Sequence, residues 1–179
     1  MRVVREALPV ASVRRRSDII AARLLALPAM IEARSVALYA ASPARREVDL
    51  ALVDRTLRAR GVTLFYPFME ESGLQTRMGF RRLDHPEQLH DRGHHFSEPD
   101  AASSEAMPGE VDVVVVPALA VTEQGARLGF GSGFYDQVLQ RFCPPAASIV
   151  VAYDFQLLVG MPEQSHDMRC EFVVTDRSA

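Results

Sequence analysis

From Arg127 to Asp136 the chain reads Arg-Leu-Gly-Phe-Gly-Ser-Gly-Phe-Tyr-Asp, with glycine at 129, 131 and 133. These residue types at this spacing could hold a phosphate. Glycines at every second position let the backbone take positive φ and admit a ligand without meeting a Cβ. The first amides of a following helix point outward and unpaired, which suits an anion. Arg127 adds a planar cation two residues ahead of the first glycine, and Asp136 at the helix start can hold a metal that bridges phosphate oxygens. The run lacks the Lys-Ser/Thr of a P-loop and the last glycine of a dinucleotide fingerprint. By itself it also fits a tight turn whose acid favours the helix dipole.

The elements that must position this run can be read from periodicity. Upstream, Val111-Asp-Val-Val-Val-Val116 stopped by Pro117 suits a central strand buried on both faces. Downstream, Phe134, Val138, Leu139 and Phe142 recur at helical spacing, and Pro144-Pro145 ends that helix. Ser12 to Leu27 carries Ile20, Leu24 and Leu27 on one face, as an amphipathic helix would, and leaves most of the arginine triplet Arg14-Arg16 to solvent. Ser35-Tyr39 reads as a strand, Ala40-Arg46 as its loop, and Val48, Leu52 and Leu57 as a helical stripe that Gly61 can end. Val62-Tyr66 is then a second strand, stopped by Pro67. Glu47 falls at the carboxyl end of the first strand, where ligands lie in open α/β sheets. Asp49 suits the N-terminus of the next helix.

A hairpin is expected about Gly73, with Leu74, Thr76, Met78 and Phe80 alternating. Arg81 to Pro108 reads as a long connection over the surface. Ile149-Tyr153 and Phe172-Thr175 are further strands. The alternation of strands and helices predicts an α/β domain with a mostly parallel sheet, helices on both faces and an antiparallel edge hairpin.

The chain has 179 residues, 48% of them hydrophobic, enough for one domain spanning 1–179. Its net charge of −3 gives bulk electrostatics no reason to favour nucleic acid. All twenty basic residues are arginine, so phosphate contacts must come from arginine or backbone. A transmembrane run and a signal peptide are both missing from the pattern, so no membrane association and a cytoplasmic location are expected. Cys143 and Cys170 match no disulfide framework and read as buried thiols. His85, His90, His94 and His95 fit no standard zinc spacing and read as loop histidines.

Pro117-Ala-Leu-Ala followed by Gly125-Ala-Arg-Leu-Gly-Phe-Gly-Ser-Gly-Phe-Tyr-Asp136 resembles the signature of the 5-formyltetrahydrofolate cyclo-ligase family, also called methenyltetrahydrofolate synthetases. The resemblance extends from about Ser17 to Thr175 and takes in Glu47-Val48-Asp49, Glu98-Pro99 and His166-Asp167-Met168. It implies a three-layer fold shared with sugar-phosphate isomerases and coenzyme A transferases. It also implies an ATP-dependent conversion of 5-formyltetrahydrofolate to 5,10-methenyltetrahydrofolate, ADP and phosphate.

On the same resemblance, Arg127, Leu128, Gly129, Phe130, Gly131, Ser132, Gly133, Phe134 and Tyr135 bind ATP, with Arg127 and Tyr135 catalytic. Glu47 and the stretch Phe130 to Phe134 border the reduced folate, and Asp136 with Asp167 holds Mg2+, with Glu171 as an outer neighbour. A monomer is the expected state and a dimer the alternative.

The chain departs from the family pattern at several positions. Ser132 replaces a usual glycine, Phe134 a tyrosine, Val121 a phenylalanine and Phe68 an arginine. The family's opening helix, which carries a Lys and an Arg to the ATP phosphates, has no expected counterpart, and Arg2 and Arg5 are not assigned that role. Two further readings therefore stand beside the ligase: a non-catalytic folate or nucleotide binder that has lost phosphate contacts, and a sugar-phosphate isomerase or acyl-transfer enzyme on the same fold.

Overall fold

The computed structural model describes residues 1–72, 75–91, 96–162, 164 and 167–179. The chain opens with helices α1 (Arg2–Glu6), α2 (Val10–Ala26) and α3 (Pro28–Glu32), followed by strand β1 (Ser35–Ala37) and helix α4 (Ala51–Ala59). A long hairpin of β2 (Thr63–Ser72) and β3 (Gln75–Arg82) comes next, then short strands β4 (His90–Asp91) and β5 (Ser97–Glu98). The second half holds β6 (Val113–Pro117), β7 (Ala120–Thr122), β8 (Arg127–Leu128), α5 (Phe134–Phe142), β9 (Ala147–Val151), β10 (Leu157–Leu158) and β11 (Phe172–Val174).

Six strands form the main sheet in the order β11-β9-β6-β1-β2-β3. All neighbours are parallel except β2 and β3, so the hairpin supplies the antiparallel edge. The valine run of β6 sits inside the sheet and feeds two cores. Val113 and Val115 face α2, α3 and α4, whereas Val114 and Val116 face α5. Opposite faces of one strand carry alternate residues, so a continuous β-branched run is what a strand between two helical layers requires. On the first side Ile20, Leu24, Met30, Val53 and Leu57 cover the sheet. On the second, Val138, Leu139 and Phe142 do, with Phe142 meeting Phe80 edge-on at 5.3 Å. The expected three layers are present.

One boundary departs from the sequence expectation at a proline. Pro67 does not stop its strand, and β2 runs on to Ser72. Leu38 N–H donates to Phe65 O, so the odd-numbered backbone groups of β2 face β1, whose pairing ends at Phe65. Pro67 faces the same way beyond that end, and its missing N–H costs no ladder bond. Asp49 lies outside α4 and accepts the Ala51 amide at 2.9 Å, the helix-start role expected of it. Gly73, the expected hairpin turn, lies outside the described residues.

A second, small sheet has the order β10-β7-β8. Its strands of two or three residues are too short to show a period. It has a positional consequence, because the turn joining β7 to β8 holds the C-terminal segment. Cys170 N–H donates to Gly125 O at 2.9 Å, and a Cβ on Gly125 would lie 1.9 Å from Cys170 O. Only glycine permits that approach. Among the described residues no helix is long and apolar enough to cross a membrane.

Candidate active site

Strand order reverses at β1, whose neighbours β6 and β2 lie on opposite sides, and the carboxyl ends of strands at such a switch point are where open α/β sheets form their ligand crevice. The residues leaving β1, β6 and β9 meet there. Glu47, after β1, is buried and accepts the Ser42 amide at 2.9 Å. Tyr153, after β9, donates its hydroxyl to Glu47 O at 3.0 Å, and Tyr39 donates to Val48 O at 2.9 Å. Burial, and then the Glu47 carboxylate, push the Tyr39 phenol well above its ordinary pKa. Burial raises the Tyr153 phenol as well, so both hydroxyls stay protonated donors, Tyr153 pinning the Glu47 carbonyl and Tyr39 that of Val48.

Arg5 closes this corner. It is 2% exposed, donates Nε to Arg45 O at 2.8 Å and Nη1 to Ala118 O at 3.2 Å, and brings Nη2 within 3.7 Å of Glu47 Oε1. Among the described residues that buried Nη2 has no hydrogen-bond partner. The sequence expectation gives Arg5 no phosphate role, and the structure places it in this buried corner. The missed signal was weak: a helix of five residues gives no period, and a lone arginine near a chain end usually reads as solvated.

The glycine run lies on the other side of the crevice. Gly131 has φ 92° and Gly133, the residue before α5, φ 69°. A Cβ on either would meet nothing within 4 Å, so the loop faces open space on this side. Its conformation belongs to glycine, and its surroundings leave room for a ligand. Arg127, only 4% exposed in its side chain, donates Nη2 to Asp136 Oδ1 at 2.8 Å, while its Nε is buried with no hydrogen-bond partner among the described residues. The sequence expectation had these two side chains serving phosphate and metal separately; the structure couples them. Tyr135 lies 5.8 Å from the Arg127 guanidinium. Burial foremost, with Glu47 adding and Arg127 opposing, raises its phenol above the ordinary value, so Tyr135 can donate a hydrogen bond but not act as a phenolate base. The Cys170 thiol, pushed by burial to about 11, also faces Arg127.

Met168 N–H donates to Asp136 Oδ1 at 3.0 Å, which brings the neighbour of Asp167 against the start of α5. Asp167 itself accepts the Gln164 amide at 2.7 Å through Oδ2. Among the described residues no three His, Cys, Asp or Glu side chains form a metal cage. Asp136 at the start of α5 is a carboxylate of the kind Mg2+ takes singly or in pairs with waters and substrate phosphates, and Asp167 lies next to the residue that reaches it. Phe130, 48% exposed, lies between the two halves of the crevice: the Arg5 guanidinium is 5.9 Å and that of Arg45 4.4 Å from its ring centre.

Other sequence candidates lie elsewhere. Position 68, where the resembled family usually has arginine, holds a fully buried Phe68, with Arg81 stacked over it at 3.8 Å. His90 pairs with Asp100 at 3.0 Å, while His94, His95 and His166 fall outside the described residues.

Comparison with known proteins gives a consistent result. The model of the 5-formyltetrahydrofolate cyclo-ligase family matches residues 1–176. A 5-formyltetrahydrofolate cyclo-ligase of Escherichia coli K12 is 27% identical over 157 residues, 87% of this chain and 85% of that protein. One from Mycolicibacterium smegmatis is 46% identical over 69 residues, 38% of this chain and 36% of that protein. Among solved structures, 5,10-methenyltetrahydrofolate synthetase from Aquifex aeolicus superposes with a TM-score of 0.82 at 29% identity, covering 97% of this chain and 84% of the other. The fold is shared with the synthetase from Mycoplasma pneumoniae, at a TM-score of 0.75 and 21% identity over 96% of this chain and 92% of that one.

Proposed function

We propose that this chain, which belongs to the 5-formyltetrahydrofolate cyclo-ligase family, is an ATP-dependent ligase that closes 5-formyltetrahydrofolate to 5,10-methenyltetrahydrofolate. The observation that carries the reading is Arg5, which touches Glu47 on one side and flanks Phe130 of the glycine loop on the other. One buried cation thus joins an acid suited to a folate with a loop suited to a triphosphate.

A formamide oxygen is a poor leaving group, so it must be activated before N10 can attack the formyl carbon. The formyl oxygen takes the γ-phosphoryl group as the bond to ADP breaks. N10 then attacks the formyl carbon, phosphate departs with the C–O bonding pair, and N10 loses its proton. Such a transfer asks for alignment and charge neutralisation more than for a protein nucleophile.

In this reading the amides of Gly129 to Gly133 receive the triphosphate. Arg127, with a buried Nε to spare, neutralises charge on it. Tyr135 donates a hydrogen bond to the nucleotide, and Glu47 accepts N–H groups of the folate. Asp136 and Asp167 would hold Mg2+, which supplies charge neutralisation between phosphate oxygens. Leu128, Ser132 and Phe134 complete the wall of the loop. We take the protein to act as a cytoplasmic monomer, which sedimentation of the purified chain checks.

The test is optical. The methenyl product absorbs in the near ultraviolet, and its signal should grow only when ATP and magnesium are both supplied with 5-formyltetrahydrofolate. A purified, folded protein that gives no such signal at high enzyme concentration defeats the ligase reading and leaves a folate or nucleotide binder in its place.

A further inference from the structure

Arg45 belongs to the loop that carries Glu47, and that loop is held tightly. Arg45 N–H and Glu47 N–H both reach Ser42 O, at 3.2 and 3.4 Å, and Arg45 O receives Arg5 Nε. Arg46 turns the chain with φ 51°, the one non-glycine residue at positive φ among those described. Side-chain-bearing residues rarely adopt that conformation, so the turn is maintained by its surroundings. Its effect is to send Glu47 into the buried corner while Arg45 lies over Phe130.

The three arginines around the glycine loop, Arg5 and Arg45 at Phe130 and Arg127 at Tyr135, differ in what they are bound to. Arg5 is held by two carbonyls and by Glu47, and Arg127 is bonded to Asp136. Arg45 is half-buried, and its guanidinium meets the ring of Phe130 at 4.4 Å with no hydrogen-bond or carboxylate partner among the described residues. A guanidinium on an aromatic face is partly desolvated but keeps its full charge and all five donors. Exchanging the ring for a phosphate oxygen gains charge-assisted hydrogen bonds.

We propose that Arg45 is a nucleotide-binding residue that leaves Phe130 to contact the γ-phosphate of ATP. Its place decides which phosphate. Arg45 lies where the Glu47 loop meets the glycine loop, the seam between folate and nucleotide that the transferring phosphoryl group must cross. Charge on the equatorial oxygens of that group persists throughout the transfer from ADP to the formyl oxygen, and a mobile guanidinium there can follow it. This inference rests on the reading of Gly129 to Gly133 as the triphosphate cradle.

The experiment compares the parent with Arg45→Ala and Arg45→Lys in the full chain. Calorimetry measures the affinity for MgADP and for a non-hydrolysable MgATP analogue, alongside kcat and the KM of each substrate. Arg45→Ala should weaken the triphosphate analogue by about 10- to 100-fold, change MgADP by no more than about twofold, and lower kcat. Arg45→Lys keeps the charge without the planar fork and should recover part of the loss. Equal losses for the two nucleotides, or a rise in the folate KM alone, overturn the assignment. If the parent binds both nucleotides and Arg45→Ala matches it, Arg45 has no such role while the cradle stands. A parent that binds neither nucleotide overturns the cradle itself.

Discussion

Two of the protein's arginine–carboxylate groups invite comparison, one on the edge hairpin and one at the start of α5. At the hairpin, Arg77 donates Nη1 and Nη2 to Glu105 at 2.7 and 3.0 Å and Nε to Glu70 at 2.7 Å. All three of its nitrogens are used. Arg141 adds a contact to Glu105 at 3.4 Å, and the Arg77 side chain is 43% exposed. At α5, Arg127 makes one bond to Asp136 and keeps a buried Nε with no hydrogen-bond partner among the described residues. A satisfied cluster in solvent stabilises a hairpin modestly, whereas a buried donor left open costs free energy unless a ligand completes it. The same residue types are therefore satisfied in one place and, on the proposed function, open to a ligand in the other.

The largest expected effect breaks the α5 group. Arg127→Met should lower turnover by about 10²–10³-fold, the loss typical of removing a preorganised donor. It also leaves the Asp136 carboxylate without its cation, at about 3 kcal/mol in a urea-unfolding measurement. Turnover near that of the parent would place Arg127 with Arg77 as a structural arginine.

Next comes Gly131→Val. A residue with a Cβ at φ 92° is strained by about 1–2 kcal/mol, yet the Cβ meets no protein atom within 4 Å. Nucleotide affinity should fall by about tenfold or more, with Ser132→Gly equal to or better than the parent. Calorimetric ATP titration well below each melting temperature separates ligand exclusion from unfolding. Unchanged affinity in folded Gly131→Val protein would remove the loop from the phosphate site.

A smaller effect is expected at the proposed metal. Asp136→Asn and Asp167→Asn keep volume but lose the charge a hard cation needs, so each should raise the magnesium concentration for half-maximal turnover several-fold. Asp136→Asn should also lower stability, because it faces Arg127. A normal magnesium requirement in both variants ends the metal assignment.

The smallest effect belongs to the hairpin. Arg77 foremost holds the Glu105 carboxyl below its ordinary value of 4.5. A lowered folded pKa gives stability that is present above the unfolded value and lost as pH falls through the folded one. Because Arg77 is largely in water, Glu105→Gln should cost under about 1 kcal/mol at neutral pH, and less as pH drops below about 4.5. Turnover should stay at the parental rate, and thermal melts from pH 3 to 7 test the stability trend.

Much of this organisation was legible in the residues themselves. The valine run before Pro117 belongs to a strand facing two cores, and Val138, Leu139 and Phe142 to a helix on one of them, because period reports burial. The glycine run between them announced a loop with special backbone angles. Pro67 misled because its cost depends on whether a neighbouring strand reaches that far, and β1 does not. The small β10-β7-β8 sheet escaped notice because two or three residues cannot establish alternation.

What the sequence by itself determined is the layered α/β order and the residue types available for phosphate chemistry, since both follow from local period and side-chain identity. The tertiary structure decided which of those side chains share a site. Arg5 reaches Ala118 O across 113 residues of chain, and Met168 reaches Asp136 across 32. Neither meeting has a local signal. They arise because parallel strands bring their carboxyl ends to one edge, and because Gly125 lets the segment at Cys170 approach closely enough to carry Asp167 there.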